Sequence, residues 1–487
     1  MLGNPLLDEF LASVASRPNS IAISSADFEI SFLAMSSFIS DEIAILHAHK
    51  KAFSPDAPLP ILVGTTPASY LTLLAALVGS ISCAVLDKRN PVGRLASHLD
   101  LLSSQGKVFD SETKKIVTAE TDRQPTTTHS SQLANLRDFR GIVTFSSGST
   151  GAPKGILLDF PTIWWRHSLK SRSNVKADES VISAFSSPHQ VAGINRLLRL
   201  IGGSRLHIVD LSSKSLRRSL QELREARVTE LNMPSQVARL VAENVSPWAL
   251  NLPSVTSLKI GSEAAAFEVV YRLAEALPDD AVLTHGLGFT EGPAAFKFSE
   301  RLDQLNGSGT LPIGRIHNPE FVRLSASPKF GNESFEVVVS GPIAQGYLEA
   351  DLSGFGRFET NADGKREWRS GDLVKKIDLN NYEHVGRKDR MMKINGNFVM
   401  PSEIEKVAGL IPGVRRAVVV AKKTADGLKL VLWLESASLS SLDTEVTAST
   451  LRAVLPRWII PSRINFVSEL PMLPGGKIDF QQLESWH

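Results

Sequence analysis

The chain has 487 residues, more than a single hydrophobic core usually holds, so we expect two or more domains. A composition of 43% hydrophobic and 21% charged residues is typical of a globular protein, and a formal net charge of +2 gives no case for a nucleic-acid partner. The amino terminus has no basic segment, and no apolar stretch reaches the ~18 residues that cross a bilayer, so we expect a cytoplasmic protein without signal peptide or membrane span.

Strand-like apolar runs alternate with helical patterns from about residue 60 onward. This alternation predicts parallel sheets covered by helices. The predicted strands are 59–66, 83–87, 206–210, 257–261 and 281–285, and the predicted helices are 68–78, 216–226 and 267–276.

The single cysteine, Cys83, lies in the uncharged apolar run 75–86. One cysteine excludes a disulfide within the chain, which is compatible with a reducing compartment. Because the run contains no charged partner, we expect a buried small hydrophobic side chain rather than a nucleophile.

The pattern changes in the last third of the chain. Short alternating runs such as 334–340 predict an antiparallel, β-barrel-like part from about residue 312. A charged segment at 386–390 is followed by strand candidates 416–421 and 428–434 and helical patterns 402–410 and 447–455. We therefore predict an α/β protein with a large domain at 1–385, a hinge at 386–390 and a small, mobile α+β domain at 391–487.

The segment 144–155, TFSSGSTGAPKG, is the most informative stretch. Its glycines allow backbone amides to turn toward a ligand, its hydroxyl groups add donors, and Lys154 adds a positive charge. This chemistry suits a polyphosphate.

Two alternatives fit this segment less well. A Walker loop needs a second glycine where Pro153 stands and a serine or threonine where Gly155 stands, counting from Gly148. A flexible linker is disfavoured because the strand-like runs 141–144 and 155–158 flank the segment.

Four further motifs follow in order: GLGFTEG at 286–292, WRSGDL at 368–373, GRKDRMMK at 386–393 and PMLPGGKID at 471–479. Together with 144–155 they resemble the adenylate-forming superfamily of acyl- and aryl-CoA synthetases, luciferases and adenylation domains of nonribosomal peptide synthetases. The resemblance is closest to acyl- or aryl-CoA synthetases. It implies attack of a carboxylate on the α-phosphate of ATP, release of pyrophosphate, and transfer of the acyl group to a thiol.

The resemblance also implies roles for individual residues. Thr290 would bond the α-phosphate and Glu291 would help to hold Mg²⁺, a hard cation suited to carboxylate and phosphate oxygens. Asp372 would accept the ribose hydroxyls and Arg387 would reach the ribose and the phosphates. The remaining ATP-binding candidates are Ser146, Ser147, Gly148, Ser149, Thr150, Gly151 and Lys154 around the phosphates, and Gly261, Ser262, Glu263, Leu287 and Gly288 around adenine.

Considered without the order of the five motifs, each of these residues has an ordinary structural interpretation. Thr290 and Glu291 would be a polar turn, the segment around Asp372 a common turn, and Arg387 a solvated charge in a linker. A lysine after two glycines, such as Lys477, would be a solvated turn.

Lys477 is the main catalytic candidate, because the equivalent lysine of the superfamily bridges the attacking carboxylate and the α-phosphate. Asp389 matches the hinge about which the small domain rotates between the two half-reactions. After rotation, the loop 393–401 would line the entry path of the thiol.

Several positions depart from the superfamily pattern. Leu287 stands where a tyrosine commonly stacks on adenine, and Asp159 stands where many relatives carry serine or threonine before a histidine; an aspartate there can still cap a helix. Asn395, Phe398 and Met400 replace residues that are usually polar or glycine, which leaves the identity of the thiol open.

The substrate pocket gives weaker signals. No acidic residue follows Phe185, where amino-acid-activating relatives pair the α-ammonium, so we expect no free α-amino acid as substrate. The segment 187–193 instead resembles a Pro-x-x-His-x-x-Gly stretch of acyl- and aryl-CoA synthetases, which places His189 and Gly193 at the pocket wall. His189 could equally be a structural histidine.

Three hypotheses remain. The first is an ATP- and Mg²⁺-dependent ligase of a small-molecule carboxylic acid with CoA as the acceptor. The second keeps the adenylation but loads the phosphopantetheine of an acyl carrier protein in trans. The third is a degenerate, non-catalytic nucleotide-binding protein, which the joint presence of Lys154, Glu291, Asp372, Arg387 and Lys477 disfavours.

Overall fold

A computed structural model provides the fold. It describes residues 4–486 except 103, 105, 119–135, 137, 148–152, 172–179, 186, 212–214, 245–250, 262, 329–332, 349–355, 395–396, 425–426, 440–441 and 474–477. Ser149, Thr150, Ser262 and Lys477 therefore lie outside the described residues, as do Gly148, Gly151 and Asn395.

The described chain alternates helices and strands through its first 300 residues and is rich in strands thereafter. The helices are α1 Pro5–Ser16, α2 Phe32–Lys50, α3 Pro67–Val78, α4 Val92–Leu101, α5 Phe160–Ser171, α6 Val191–Ile201, α7 Leu216–Glu225, α8 Ser235–Asn244, α9 Phe267–Ala274, α10 Pro401–Ala408, α11 Thr444–Val454 and α12 Phe480–Ser485. The strands are β1 Ile21–Ser25, β2 Phe28–Ser31, β3 Leu59–Val63, β4 Cys83–Asp87, β5 Lys107–Asp110, β6 Lys115–Thr118, β7 Gly141–Ser147, β8 Pro153–Asp159, β9 Val181–Ala184, β10 Arg205–Ile208, β11 Glu230–Pro234, β12 Ser257–Gly261, β13 Val282–His285, β14 Phe296–Arg301, β15 Arg315–Ile316, β16 Val322–Ala326, β17 Ser334–Ser340, β18 Gly346–Tyr347, β19 Arg357–Thr360, β20 Arg366–Lys376, β21 Tyr382–Arg387, β22 Met392–Ile394, β23 Asn397–Val399, β24 Arg416–Thr424, β25 Gly427–Glu435 and β26 Arg463–Val467.

The chain divides into two compact units. The first comprises residues 1–146, 153–321 and 340–351, and the second comprises 147–152, 322–339 and 352–487. The units do not coincide with the predicted division at 386–390. The predicted division marks the point about which the small domain would rotate between two states. A single structure does not test such a rotation, so the division stays a prediction.

The first unit contains two parallel-rich sheets, as the alternating pattern predicts. One has nine strands in the order β15-β14-β13-β12-β11-β9-β10-β1-β2, and the other has seven in the order β18-β8-β7-β4-β3-β5-β6. Six neighbouring strands of the larger sheet, from β1 to β13, run parallel, whereas β2, β14 and β15 are antiparallel additions.

The two faces of the nine-stranded sheet differ in chemistry because side chains alternate along each strand. Leu231, Leu258 and Leu283 point to one face and pack with apolar residues of α7, α8 and α9 in a continuous buried core. Asn232, Lys259 and Thr284 occupy the intervening positions on the other face.

Cys83 lies on β4 and is completely buried, as predicted. Burial raises the pKa of its thiol to about 12. It is therefore protonated and unreactive in the folded chain.

The second unit begins with an antiparallel sheet, β16-β17-β20-β19, to which β21 adds by pairing with β20. The later part contains the hairpin β22-β23 and the three-stranded sheet β24-β25-β26, covered by helices around a core that includes Ile404, Leu432 and Leu451. The strands predicted at 334–340, 416–421 and 428–434 all form, which confirms the antiparallel part and the small α+β part.

Among the described helices, none combines the length and the apolar character needed to cross a membrane.

Candidate active site

The glycine- and hydroxyl-rich segment connects β7 to β8. Ser146 and Ser147 end β7, and Lys154 is the second residue of β8. The strands therefore hold both ends of the segment at one edge of the seven-stranded sheet, although its central residues lie outside the described chain. Thr144 anchors the incoming strand, since its hydroxyl donates to the carbonyl of His189 at 2.7 Å.

Thr290 and Glu291 lie in a tight loop between β13 and β14. The loop closes where the amides of Ala295 and Phe296 donate to the Leu287 carbonyl at 2.8 and 3.1 Å. The parallel strands β11, β12 and β13 all end beside this loop, and the carboxyl ends of parallel strands are the usual ligand-binding edge of an α/β sheet.

A tyrosine links the two predicted phosphate-binding segments. The Tyr347 hydroxyl donates to Oε1 of Glu291 at 3.0 Å, and Lys154 Nζ lies 5.9 Å from the centre of the tyrosine ring. The Glu291 carbonyl also accepts from the amide of Ala344 at 2.7 Å. One side chain therefore contacts both the predicted phosphate-binding cation and the predicted metal-binding carboxylate.

Arg166 supports the same loop from α5. Its guanidinium donates to the Thr290 carbonyl at 2.6 Å. Burial lowers the pKa of Arg166 to about 10, although the charges of Glu291 and Asp159 act in the opposite direction. The group remains positive at neutral pH and contributes a buried positive charge close to where the α-phosphate is expected.

The predicted adenine-pocket residues follow β12. Ser235, the first residue of α8, donates its hydroxyl to the carbonyls of Gly261 and Glu263 at 2.9 and 2.8 Å, which holds both carbonyls close to the start of that helix. Apart from the two chain neighbours of Gly261, no described atom lies within 4 Å of the place where a side chain on this residue would begin, so open space adjoins Gly261 within the described structure. Leu287 and Gly288 start the neighbouring loop, and the Leu287 side chain is half-buried.

The predicted ribose-binding residues lie in the second unit. Asp372 on β20 is directly paired with Arg387 on β21, and Oδ2 of the buried aspartate accepts from the arginine at 3.0 Å. His384 Nε2 lies 2.8 Å from the other carboxylate oxygen. Arg387 also donates to Asp389, the predicted hinge residue, through Nε at 3.0 Å.

His189 and Gly193 lie at the start of α6. Gly193 is required there because a Cβ atom would clash with the Cα of Pro188. His189 Nδ1 lies 3.2 Å from Oδ2 of Asp87, and burial lowers the pKa of the imidazole to about 4, so it is neutral at pH 7. Burial is the largest single influence on Asp87 and acts to raise its pKa, but the hydrogen bonds of Arg89 and the charges of His189 and Arg89 together hold that pKa below its usual value.

Two of the sequence departures have a structural explanation. Asp159 caps α5, because its Oδ1 accepts from the Thr162 amide at 2.9 Å, as the sequence predicts. Met400 packs against Gly386. Its sulfur lies 2.8 Å from the position that a Cβ atom on residue 386 would occupy. The Phe398 side chain and Asn395 lie outside the described part.

Sequence reasoning missed Tyr347, Arg166 and His384. Tyr347 is 56 positions from Glu291 in the chain, and no motif connects them. Arg166 directly follows Trp164 and Trp165, which is only a weak signal of a buried arginine. The contact of His384 with Asp372 depends on the register of β20 and β21, which a single sequence does not specify.

Magnesium fits the donor chemistry near Glu291. The described residues contain no group of three or more histidine, cysteine or acidic side chains arranged for a metal. Mg²⁺ in nucleotide sites typically uses one or two carboxylates together with substrate phosphates and water, so a single carboxylate beside a phosphate-binding segment is an adequate protein contribution.

A model of the AMP-binding enzyme family matches residues 66–348, more than half of the chain. The chain therefore belongs to the AMP-binding enzymes, within the adenylate-forming superfamily that the motifs indicate.

The chain is similar to modules of much longer proteins. It is 25% identical to a linear gramicidin synthase of Brevibacillus parabrevis over 490 residues, which cover 96% of the chain and 9% of the relative. It is also 25% identical to delta-poly-L-ornithine synthetase of Acinetobacter baumannii, over 99% of the chain and 36% of the relative. The chain thus spans between about a tenth and about a third of the length of these relatives.

Solved structures share the fold over almost the whole chain. NpsA of Klebsiella oxytoca, in complex with 3-hydroxyanthranilyl-AMSN, has a TM-score of 0.76 at 18% identity, covering 99% of each chain. MenE, the O-succinylbenzoate coenzyme A synthetase of Bacillus subtilis, in complex with ATP and magnesium, has a TM-score of 0.75 at 15% identity, covering 98% of this chain and 99% of MenE. The predicted fold, a large α/β part followed by a small α+β part, is confirmed.

Similarity to peptide and polyornithine synthetases does not support the expected exclusion of free α-amino acids. The choice between CoA and a carrier protein also stays open, because the solved structures that share the fold include both MenE, a coenzyme A synthetase, and NpsA-ThdA, an artificially fused adenylation–PCP di-domain.

Proposed function

We propose that this AMP-binding enzyme activates a carboxylic acid with ATP and transfers the resulting acyl group to a thiol. In the first step a carboxylate oxygen attacks the α-phosphorus, the bond from that phosphorus to the bridging oxygen breaks, and pyrophosphate leaves. The product is a mixed anhydride of the acid and AMP. Attack by a thiol on its carbonyl carbon then forms a thioester and releases AMP.

The observation that carries the proposal is the arrangement of Lys154, Tyr347, Glu291 and Thr290. Two anions must meet for this reaction, so positioned cations and donors have to offset their repulsion. Lys154 would hold the outer phosphates, Glu291 would share Mg²⁺ with phosphate oxygens, and Thr290 would bond the α-phosphate. Arg166 would add fixed positive charge behind that loop.

Asp372 would bind the ribose hydroxyls. A carboxylate has about four lone-pair positions, so acceptance from Arg387 and contact with His384 leave acceptor capacity for two hydroxyl donors. The two protein contacts would also hold the carboxylate in a fixed orientation.

CoA is our first choice for the thiol, with the phosphopantetheine of a carrier protein as the alternative. The segment 187–193, typical of acyl- and aryl-CoA synthetases, supports CoA. Similarity to linear gramicidin synthase over 96% of the chain supports a carrier.

Pyrophosphate release with ATP, Mg²⁺ and a library of carboxylic acids tests the first half-reaction. We expect release that depends on one chemical class of acid. If no acid supports release while ATP binds, the non-catalytic alternative is correct. Adding either CoA or a phosphopantetheine-loaded carrier protein, with mass detection of the thioester, then identifies the acceptor.

A further inference from the structure

A cationic group lies on the polar face of the nine-stranded sheet. Lys259 on β12 is in register with Asn232 on β11 and Thr284 on β13. Side chains two residues apart on a strand share a face, so Lys259 lies about 6 to 7 Å along β12 from Gly261 on the same side. The open space beside Gly261, where the adenylate is expected, adjoins this side of the sheet.

Lys259 combines solvent exposure with a strong influence of the surrounding protein. Its side chain is exposed to solvent, yet burial is the largest influence on its ammonium and lowers its pKa. The ammonium is therefore within reach of a dissolved ligand, although the bulk of the protein beside it weakens its solvation.

The charges that act on Lys259 are mostly positive. Arg196 and Lys297 are the next influences after burial, and both lower its pKa further; Arg199 does the same, and only Glu230 opposes them. Glu230 already accepts from Arg199 at 3.1 Å, so its charge is largely offset. Within the described ranges, Lys259 has no ion-pair or hydrogen-bond partner of its own.

His317 gives a second indication of the same cluster. After burial, the charges of Lys297 and Lys259 are the largest influences that lower the pKa of its imidazole. The two lysines therefore act on a common region. Like charges brought together where solvation is reduced are unfavourable, and an anionic ligand relieves that repulsion.

We propose that the acid substrate carries a second anionic group, remote from the reacting carboxylate, and that Lys259 binds this group with help from Lys297. The proposal deepens the proposed function and rests on it. The class of substrate is a dicarboxylic acid or an aromatic acid with a second acidic substituent. A free ammonium group at the same position would meet Lys259 and Arg196 and would be repelled.

The test compares wild type with Lys259→Met, Lys259→Arg and the control Lys115→Met, which changes an exposed lysine on β6. Each protein receives pairs of acids with the same carbon skeleton, one with and one without the second acidic group, and also free α-amino acids. Pyrophosphate release gives kcat/KM for each acid, and thermal melting checks that each variant folds.

We expect wild type to prefer the dianionic member of a pair. Losing a charge partner in a desolvated site typically reduces binding by roughly 30-fold or more, so Lys259→Met is expected to lower kcat/KM for the dianionic acid by about that factor and to leave its monoanionic partner unchanged or improved. Lys259→Arg should retain most of the preference, and Lys115→Met all of it.

Three outcomes would overturn the inference while leaving the adenylation activity in place. They are equal kcat/KM of wild type for the dianionic and the monoanionic acid of a pair, a preference of wild type for free α-amino acids, and an unchanged ratio of the two kcat/KM values in Lys259→Met. Failure of every acid to release pyrophosphate would overturn the proposed function and this inference with it.

Discussion

His98 on α4 is buried, and its imidazole stacks on Phe145 with 4.3 Å between ring centres. Neither ring nitrogen has a hydrogen-bond partner within the described part of the chain. Burial, followed by the charges of Arg94 and His189, lowers the pKa of His98 to about 3 from an ordinary value of 6.5. The folded chain therefore binds a proton at His98 much less readily than the unfolded chain.

We predict that His98→Leu reduces the acid sensitivity of folding. Above pH 6.5 both states hold a neutral imidazole; as the pH falls toward 3 only the unfolded state is protonated, so wild type loses stability over that window. Each pKa unit corresponds to about 1.4 kcal/mol, and we expect a relief of about 1–2 kcal/mol at pH 5 relative to pH 7. Urea unfolding at pH 5 and pH 7 measures the free energy of unfolding of both proteins. An equal decrease of this free energy in wild type and His98→Leu would contradict the prediction.

Lys477→Ala is predicted to reduce adenylation by about two orders of magnitude or more while most ATP affinity is kept, because the superfamily resemblance implies that its charge acts where carboxylate and α-phosphate meet. Pyrophosphate exchange and ATP titration measure the two effects. Lys365→Ala, in an exposed turn, is the control. Near-normal exchange in Lys477→Ala would remove this lysine from the mechanism.

At the scale of elements, α10 packs directly on β21. Ser402 in the first turn of α10 donates its hydroxyl to the Val385 carbonyl. Gly386 directly follows Val385 and has a φ angle of 148°. A Cβ atom on residue 386 would lie 2.6 Å from the hydroxyl oxygen of Ser402. Only glycine combines this backbone conformation with so close an approach.

We predict that Gly386→Ala destabilises the second unit by about 2–4 kcal/mol through backbone strain and overpacking. Gly93→Ala is the matched control, since Gly93 lies within α4 and, outside its own helical turn, no described atom lies within 4 Å of the new methyl group; it should stabilise by about 0.5–1 kcal/mol. Thermal unfolding of both variants measures the difference. An unchanged melting temperature for Gly386→Ala would show that α10 shifts away from β21 at little cost.

The elements were more predictable than the contacts between them. Period-two alternation and turn residues located strands such as β12, β17 and β25, and the acidic residue Asp159 predicted a helix start at α5. By contrast, the contact of Tyr347 with Glu291 and the influence of the Lys297 charge on Lys259 arise from the pairing of distant strands. Periodicity fixes which face a residue occupies, but it does not fix which strands become neighbours.

At the scale of the whole molecule, the segment around Asp389 is the predicted hinge between the half-reactions. Asp389 lies in a 3-10 turn, Lys388–Arg390, that directly follows β21. If the chain rotates there, the φ angle of residue 389 must change. Proline would prevent that change.

We predict that Asp389→Pro leaves adenylate formation within a few-fold of wild type and lowers thioester formation by at least about tenfold, since only the second step needs the rotated state. Single-turnover measurements of each step separate them. Asp389→Asn, which removes the charge paired with Arg387 but keeps a flexible backbone, is the control. Equal loss of both steps would place the hinge elsewhere.

The burial of Cys83 has a practical consequence for following such motion. A native chain whose sole thiol is shielded needs no cysteine removal before labelling. Single cysteines introduced on the exposed surface would each take a fluorophore or spin probe selectively, so distance changes during turnover could be recorded on an otherwise unaltered enzyme. Modification of Cys83 itself would then report the rate at which the seven-stranded sheet opens.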